Sequence, residues 1–264
     1  MHAERAGDRR LQLLPTGARV VMNSWGYLPV EEGLRTCDEL LLRHRGTSVE
    51  PMIRLARSLY LSFDGAHDDA RAEMERARQL YLEFGNELLA AASSLGYAYQ
   101  EIQAGRPEVA ERIALEGAER LKQFGDQGFY STTIGMVAEA VYRQGRYDEA
   151  EEWTLAVAEA AMETDYEPQI TWRLVRGKVL ARRGQFEEAK ALGRRAVEMA
   201  RATDFYSEIG DALTDLAEIL ELAGETSEAR AALEGALDAY EQKGARWNVD
   251  LTRRRLEQIG EGAD

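Results

Sequence analysis

Carboxylates are the most abundant side chains in this sequence that could take part in acid–base chemistry. The 264 residues include 47 Asp and Glu against 33 Lys and Arg, a formal net charge of −14. An adjacent pair such as Asp148 and Glu149 could in principle act as acid and base. Many glutamates lie at comparable positions: Glu111, Glu116, Glu119, Glu149, Glu151, Glu152, Glu187 and Glu188. They are typical of solvated helix faces and of first-turn acids favoured by the helix dipole, so we expect no catalytic residue.

Nucleophiles and metal ligands are sparse. The single cysteine, Cys37, and three scattered histidines (His2, His44 and His67) form no catalytic set and no ligand cluster. Cys37 is most simply a small buried residue. The sequence also lacks the G-x-x-x-x-G-K-[S/T] phosphate loop. We therefore expect no enzyme activity, no cofactor and no metal.

Positive charge is concentrated in one short segment of this acidic chain: Arg173, Arg176, Lys178, Arg182 and Arg183. In one interpretation these cations pair with acids on adjacent helices, each pair contributing about 0.2–0.5 kcal/mol. In the other they anchor a carboxylate or phosphate group of a partner. The many acids of neighbouring segments favour internal pairing.

The charge of the whole chain excludes two classes of partner. Nucleic-acid phosphates are bound by clustered Lys and Arg, and anionic membrane surfaces attract basic segments. The sequence has a net charge of −14, no stretch near 18 consecutive apolar residues and no apolar signal core at its N-terminus. We expect a cytoplasmic protein with no nucleic-acid and no membrane partner.

A glycine recurs with nearly constant spacing through most of the chain. The pattern G-x-x-x-x-A begins at Gly65, Gly105, Gly145, Gly184 and Gly224, at intervals of 40, 40, 39 and 40 residues. A fixed period of this length indicates a stacked-repeat protein. Apolar residues recur at helical spacing on both sides of each glycine. The glycine is therefore the turn between two antiparallel helices, and the alanine lets the second helix approach the first closely.

A second set of turn residues, such as Gly85-Asn86 and Thr164-Asp165, marks the other loops. Together the two sets predict helix pairs at 50–64/66–84, 87–104/107–124, 127–144/147–163, 167–183/186–202 and 206–223/226–243. No segment shows the alternation of a strand. We predict an all-α fold, a right-handed superhelical solenoid of antiparallel helix pairs.

The two ends depart from this pattern. Gly26 is in phase with the loop glycines, which predicts a first repeat whose second helix spans 30–45. Pro15 and Gly17 are expected to interrupt its first helix, which makes residues 1–15 a flexible lead-in. At the other end, 246–259 is predicted to be a capping helix that covers the last repeat. The repeat domain then spans 16–264, with repeats at about 16–46, 50–84, 87–124, 127–163, 167–202 and 206–243.

Fixed positions before each loop glycine resemble those of the tetratricopeptide repeat. Seven positions before the glycine stands a small residue: Ser58, Ala98, Ala138, Gly177 and Ala217. Four positions before it stands a large residue in four repeats, with Glu101 as the exception. The tetratricopeptide repeat runs for about 34 residues, so this chain resembles a variant lengthened by about one turn in each helix.

Three segments resemble a narrower group. Residues 131–153, 172–205 and 211–244 are similar to the C-terminal helical region of actinobacterial adenylate/guanylate cyclase–ATPase regulators, and the similarity extends from about residue 24 onward. In those proteins a cyclase and an ATPase domain come first, and this sequence carries neither. The resemblance implies a sensing or docking module, with a cyclase or ATPase domain as one candidate partner.

In the tetratricopeptide pattern, the first helix of each pair lines a concave groove through positions 2, 3, 6, 10 and 13 before the loop glycine. In the middle repeats this predicts a partner-binding groove made of Tyr99, Gln103, Glu139, Tyr142, Arg143, Lys178 and Arg182. Two rings with a few opposed charges suit recognition of an extended or helical peptide. We expect Tyr142, Arg143 and Arg182 to form the centre of this surface.

Two functions from different classes fit these observations. In the first, the chain is a non-catalytic scaffold that binds a protein or peptide in its groove, within a bacterial signalling or regulatory system. In the second, the chain is a sensory module whose inner curve binds a small molecule and acts on a cyclase, an ATPase or a transcriptional regulator. An enzyme is the least favoured, since solenoids present long surfaces suited to binding.

Overall fold

The chain forms a solenoid of paired helices. A computed structural model of the protein describes residues 9–261, and this part of the chain contains fourteen helices and no strand. In order they are α1 (Arg9–Trp25), α2 (Val30–His44), α3 (Glu50–Phe63), α4 (His67–Glu83), α5 (Glu87–Ala92), α6 (Ser94–Gln103), α7 (Pro107–Phe124), α8 (Gly128–Arg143), α9 (Tyr147–Ala160), α10 (Tyr166–Arg182), α11 (Phe186–Arg201), α12 (Tyr206–Leu222), α13 (Thr226–Lys243) and α14 (Arg246–Glu261). They stack as a right-handed superhelix of antiparallel pairs, as the repeat predicted.

Five repeats join their two helices through a glycine turn, whereas Gly26, between the helices of the first repeat, is not in the left-handed conformation. The loop glycines have φ between 71° and 87°: Gly65, Gly105, Gly145, Gly184 and Gly224. This left-handed conformation is one that residues with a Cβ rarely adopt. The alanines five positions later are at most 1% exposed: Ala70, Ala110, Ala150, Ala189 and Ala229. The predicted turns and the predicted close contact between paired helices are therefore confirmed.

The helix boundaries predicted from the sequence agree with the structure to within three residues, except where the predicted helix 87–104 is divided into α5 and α6 at Ser93. The hydroxyls of Ser93 and Ser94 donate to the carbonyls three residues earlier, at 2.7 and 2.5 Å. Helix α7 also comes very close here, because a Cβ added at Gly117 would lie 1.7 Å from Ser94 Oγ. Side chains that bond to nearby carbonyls bend a helix, and here they divide it.

The first helix differs from the prediction. Pro15 and Gly17 lie inside α1, so the expectation that they interrupt it was wrong. A Cβ added at Gly17 would lie 2.4 Å from Met52 Sδ and 2.7 Å from Val49 Cγ2. Gly17 therefore serves close packing against α3, and this tertiary contact outweighs the lost N–H of Pro15. The predicted lead-in 1–15 overlaps α1 from residue 9, and residues 1–8 lie outside the described part of the chain.

The last repeat packs against the first repeats and closes the superhelix. At the end of α13, the Lys243 ammonium donates to the carbonyls of Gly26 and Leu28 at 2.6 and 3.0 Å. At the start of α12, the Ser207 hydroxyl donates to the carbonyl of Trp25 at 3.3 Å. A single apolar core joins residues of α1, α2 and α3 to residues of α12 and α13. The concave side of the solenoid is therefore enclosed, which the sequence did not predict.

Helix α14 takes part in two interfaces. Leu256 and Ile259 pack on the core of the last repeat, as predicted for a capping helix. Trp247 instead packs edge-on against His67, with ring centroids 4.7 Å apart, and its Nε1 donates to the carbonyl of Gln103 at 3.2 Å. This second interface connects α14 to α4 and α6 and forms part of the closure.

Candidate functional site

The enclosed concave side holds a cavity of about 340 Å³. Most of its wall comes from α6, α8, α10 and α12, the first helices of their repeats, and α1, α13 and α14 supply the rest. Lining residues recur at intervals of three or four, as with Glu167, Ile170 and Leu174 of α10, so one stripe of each helix faces the cavity. An apolar pocket with a few convergent polar groups is the default candidate for a binding site.

Aromatic rings form one wall of this cavity. Trp25 and Tyr99 meet edge to face, with centroids 5.1 Å apart and planes at 72°. Phe63 packs against Tyr99 at 6.0 Å, and Phe205, in the loop before α12, lines the cavity elsewhere. Trp25, Phe63 and Tyr99 come from three successive repeats, so the stacking of the N-terminal repeats builds this wall.

Asp211 connects the aromatic wall to the last repeat. Its two carboxylate oxygens accept hydrogen bonds from the hydroxyls of Tyr99, at 2.9 Å, and Tyr240, at 2.6 Å. A Cβ added at Gly210 would lie 2.4 Å from the Tyr240 ring, so only glycine allows this approach. Burial raises the pKa of Asp211 in spite of both donors. The arrangement links α6 to α12 and α13.

An ion cluster, made of Glu139, Arg143, Lys178 and Asp215, lies at the side of the cavity, with Lys178 buried at its centre and Arg143 exposed at its edge. Lys178 is 1% exposed, and its Nζ is 2.7 Å from Glu139 and 2.9 Å from Asp215. Arg143 donates to the other oxygen of Glu139 at 2.6 Å. Burial opposes the charge on Lys178, but the charges of Asp215 and Glu139 outweigh it and raise its pKa. Burial also opposes the charge on Glu139, but the charges of Lys178 and Arg143 outweigh burial and lower its pKa.

Tyr142 and Arg182 belong to a neighbouring network. The Tyr142 hydroxyl donates to Glu218 at 2.5 Å and accepts from Arg182 Nε at 3.0 Å. Arg182 also donates to Glu218 at 2.8 Å, and its guanidinium lies 5.4 Å from the centroid of the Tyr147 ring. Tyr142 is only 5% exposed, so this ring is a packed residue as well as a hydrogen-bonding one.

The basic segment of α10 is mostly paired within the molecule. Four of its five cations have carboxylate partners on other helices. Besides Lys178 and Arg182, Arg183 contacts Asp148 at 2.6 Å and Glu151 at 2.5 Å, and Arg176 lies 4.0 Å from Glu188. These contacts support internal pairing over an anchor for a partner's anionic group.

The seven predicted groove residues divide between the cavity and its surroundings. Four line the cavity: Tyr99, Gln103, Glu139 and Arg143. The other three, Tyr142, Lys178 and Arg182, are held by the ion cluster and the neighbouring network. The cavity is thus centred nearer α10 and α12 than the expected centre at Tyr142, Arg143 and Arg182. A contact of these residues with a partner stays a prediction.

Sequence reasoning missed the cavity residues of the last two repeats. The positions 10 and 13 before the loop glycine in these repeats all line the cavity: Leu174, Thr171, Thr214 and Asp211. The position rule used for the middle repeats would have found these four. Glu167 and Glu208 lie 17 and 16 positions before their glycines, outside the rule, and no sequence signal distinguishes them from surface acids.

Glu167 and Glu208 are the carboxylates of the cavity that lack a partner. Among the described residues, neither accepts a hydrogen bond and neither forms a salt bridge, although both line the cavity. Burial, with a smaller effect from the charge of Asp211, raises the pKa of Glu208 to about 7. Burial and the charges of Glu208 and Asp165 raise the pKa of Glu167 well above its ordinary value. This part of the wall lacks a compensating cation.

Asn248 of α14 contributes a further acceptor. Its side chain lines the cavity, the residue is 5% exposed, and its Nδ2 donates to Gln103 Oε1 at 3.2 Å. Its Oδ1 is buried and accepts no hydrogen bond from any residue that the structure describes. The cavity therefore combines apolar rings with acceptors that have no donor, and such a wall suits a ligand that donates hydrogen bonds.

Groups typical of other kinds of site are few. Among the residues whose side chains the structure describes, no Cys, His, Ser or Lys lines the cavity. Across residues 9–261, no three His, Cys, Asp or Glu side chains are grouped in a way that could hold a metal ion. In the same range, no helix combines the length and the apolar character needed to cross a membrane.

Sequence comparison identifies repeats in the second half of the chain. The family model described as Tetratricopeptide repeat matches residues 129–202 and 169–242. The two matches begin 40 residues apart, which is the interval between the loop glycines. No curated protein sequence matches the chain.

Three solved structures resemble the fold. The apo quorum sensor NprR from B. thuringiensis is 15% identical, with a TM-score of 0.55 over 84% of this chain and 62% of that one. NprR in complex with its cognate peptide NprX is 16% identical, with a TM-score of 0.67 over 88% of this chain and 67% of that one. A Rap protein complexed with Competence and Sporulation Factor is 12% identical, with a TM-score of 0.55 over 96% of this chain and 73% of that one.

At these identities the likeness establishes the fold and nothing further. The chain spans less than two thirds of the apo NprR chain. The helix pairs, the glycine turns and the family matches nevertheless agree with one another. Residues 129–242 match the tetratricopeptide repeat model, and the chain shares its solenoid fold with NprR and Rap.

Proposed function

We propose that this chain is a non-catalytic regulatory protein that binds a short peptide segment in its central cavity. The observation that carries the proposal is the enclosed cavity, with an aromatic wall and acceptors that lack donors. Its volume of about 340 Å³ lies at the lower end of the roughly 300–1,000 Å³ typical of ligand pockets. A short peptide or the end of a longer one fits such a volume, whereas a folded partner does not.

The structural relatives support a peptide as ligand. NprR is described in complex with its cognate peptide NprX, and Rap in complex with Competence and Sporulation Factor. Both share the solenoid fold with this chain. By extension we assign the chain to a cytoplasmic signalling system of bacteria, in which peptide binding changes its interaction with a partner protein.

The closure of the superhelix provides a means of transmission. Trp25 and Tyr99 of the N-terminal repeats and Asn248 of α14 line the same cavity. A ligand that contacts all three favours the closed arrangement over an opened one, because it gains those contacts only when the ends meet. The outer surface of the solenoid then changes with occupancy.

A small-molecule sensor is the second candidate. Residues of α14 cover part of the cavity and narrow it, and a narrowed cavity of this volume suits a small organic ligand better than a long peptide. In this case the resemblance to cyclase–ATPase regulators supplies the effector, a cyclase, an ATPase or a transcriptional regulator attached to the chain or bound by it.

Affinity selection with mass spectrometry tests both candidates. The purified chain is mixed either with a random hexapeptide library or with a metabolite mixture, and retained ligands are identified. Thr171→Trp places a large ring in the cavity. Leu155→Trp, on the outer face of α9 where Leu155 is 51% exposed, adds the same ring outside it and is the matched control.

We expect peptides to be retained by the parent and by Leu155→Trp and lost with Thr171→Trp. Retention of metabolites alone, with the same dependence on Thr171, would replace the peptide by a small molecule. Equal retention by all three proteins would move the site out of the cavity and overturn the proposal. Thermal melts of both variants show that each is folded.

A further inference from the structure

The charges that line the cavity do not balance. Five carboxylates contribute to its wall: Glu139, Glu167, Glu208, Asp211 and Asp215. Arg143 is the single cationic residue among the lining residues, and Lys178 lies buried directly behind them. The wall is therefore acidic, and the question for each carboxylate is whether the protein itself supplies its partner.

Three of the five carboxylates are satisfied within the protein. Glu139 binds Arg143 and Lys178, and Asp215 binds Lys178. Asp211 accepts two tyrosine hydroxyls. Glu167 and Glu208 remain, and within the described residues neither has a hydrogen-bond donor or a cation.

The two glutamates line the same cavity and stand on neighbouring first helices. Glu167 is the second residue of α10 and Glu208 the third residue of α12, so both stand at the same end of neighbouring first helices. The charge of Glu208 acts on Glu167 strongly enough to raise its pKa, together with burial. Surface acids in the same part of a helix behave differently: Glu108, the second residue of α7, is exposed.

An independent observation on another helix points to the same ligand chemistry. Asn248 of α14 lines this cavity at 5% exposure, and its Oδ1 accepts nothing from the described residues. A buried acceptor without a donor keeps its cost of desolvation, and native proteins leave few of them. Near the start of α10 and α12 the carboxylates of Glu167 and Glu208 have no partner among the described residues, and the buried Oδ1 of Asn248 is a further acceptor without a donor, so the complementary ligand group is a donor with positive charge.

We infer that the ligand of the central cavity carries a cationic nitrogen, an ammonium or a guanidinium, which Glu167 and Glu208 bind together while the apolar body of the ligand lies against Trp25 and Tyr99. The inference rests on the proposed function, in that the cavity is taken as the ligand site. In a peptide the nitrogen belongs to an arginine or lysine side chain or to the N-terminus. In a small molecule it is a free amine.

Matched probes test the charge separately from the site. The peptide probes are two acetylated and amidated hexapeptide libraries that carry either arginine or citrulline at one position, since citrulline keeps the shape and removes the charge. The small-molecule probes are phenethylamine and the neutral 2-phenylethanol. Binding is measured with the parent, with Glu208→Gln, with the double variant Glu167→Gln/Glu208→Gln and with the surface control Glu108→Gln.

We expect the arginine library to bind the parent about tenfold or more tightly than the citrulline library. The preference should shrink in Glu208→Gln, disappear in the double variant and persist in Glu108→Gln. If phenethylamine shows this behaviour and the peptides do not bind, the cation site stands and the peptide proposal falls.

Equal affinity for arginine and citrulline, with binding still abolished by Thr171→Trp, would overturn the cation site and leave the proposed function intact. No binding of any probe that depends on Thr171 would overturn both. Melting curves of the glutamine variants exclude loss of fold, and we expect no loss because each variant removes a half-buried carboxylate that has no partner among the described residues.

Discussion

Two groups of charged side chains lie along the cavity on the same helices and differ in whether the protein supplies their counter-charges. The ion cluster around Lys178 contains its own counter-charges, with two carboxylates within 2.9 Å of one ammonium. The pair of Glu167 and Glu208, at the other end of α10 and α12, has none among the described residues. The first group holds three repeats together, and the second group faces a cavity.

Comparison of the two groups shows how a binding site can be recognised in a repeat protein that is rich in charged residues. Side-chain type alone does not separate the two groups, because both contain glutamates on first helices. What separates them is whether the folded chain satisfies the charge. A satisfied buried cluster is part of the structure, whereas an unsatisfied one that lines a cavity is a candidate for ligand recognition.

Replacement of Lys178, the central cation of the ion cluster, should have the largest effect on stability. In Lys178→Met, Glu139 and Asp215 lose their shared buried partner, so we expect the free energy of unfolding to fall by about 3–5 kcal/mol. Chemical denaturation measures this directly. If Lys178→Met is as stable as the parent, Lys178 does not stabilise the ion cluster. Lys122→Met is the control, because Lys122 is exposed and its loss shows the effect of removing a lysine from the surface.

The second buried lysine sharpens the comparison, because Lys243 has carbonyls where Lys178 has carboxylates. Burial lowers the pKa of Lys243 to about 7. In Lys243→Met the carbonyls of Gly26 and Leu28 lose their donor, and we expect a loss of about 1–3 kcal/mol. Because these carbonyls belong to the closure, hydrogen exchange should increase in α1 and α13 before the middle repeats. Uniform exchange along the chain would contradict a role in closure.

Replacement of Glu208 should raise the stability of the protein, whereas replacement of either lysine should lower it. The pKa of Glu208 is about 7 in the folded protein and about 4.3 when unfolded. The folded state then binds more protons between these values, so stability falls as the pH rises from about 4.3 to about 7. Glu208→Gln removes this loss and should stabilise the protein by about 1–2 kcal/mol near pH 8, with little effect near pH 4.

Denaturation of parent and variant at both pH values measures the Glu208 effect. Equal differences at the two pH values would show that Glu208 does not titrate in this range. Glu108→Gln, at an exposed first-turn position, should change stability by less than about 0.5 kcal/mol at either pH.

The smallest effect is expected in the network next to the ion cluster. Tyr142→Phe keeps the packed ring and removes the hydroxyl that joins Arg182 to Glu218, so we expect a loss of about 0.5–1.5 kcal/mol. Tyr142→Ala should cost more, since the ring is 5% exposed. If Tyr142→Ala instead leaves the melting temperature unchanged and weakens only partner binding, Tyr142 is the groove anchor that the repeat pattern predicted.

Local features were predictable because they depend on short-range periodicity. The interval between loop glycines predicted the helix pairs, and the alanine after each glycine predicted a contact that is at most 1% exposed in every repeat. The α5–α6 division was not predictable, because it depends on Gly117 of another helix and on hydroxyls that bond to the backbone. Pro15 misled the prediction for α1, since packing of Gly17 against α3 outweighs local propensity.

The candidate site was predicted in part. Tyr99, Gln103, Glu139 and Arg143 line the cavity because the repeat pattern states which stripe of a first helix faces inward. Lys178 stands at a position that the repeat pattern also directs inward, but it is buried because α8 and α12 bring carboxylates to it from both sides. A position rule gives the direction of a side chain, but it does not say which charges on other repeats will meet it.

The repeat, the turns and the pairing of helices can be predicted from the amino-acid sequence, since each of these depends on residues within about one repeat of each other. The closure of the superhelix, the contact of Lys243 with the carbonyls after α1 and the contact of Tyr99 with Asp211 appear only in the folded chain. These contacts join residues 112 to 217 positions apart. Closure depends on the sum of the small rotations between successive repeats, and no single repeat encodes that sum. The cavity and the two glutamates that have no partner among the described residues arise because these rotations bring the ends of the chain together.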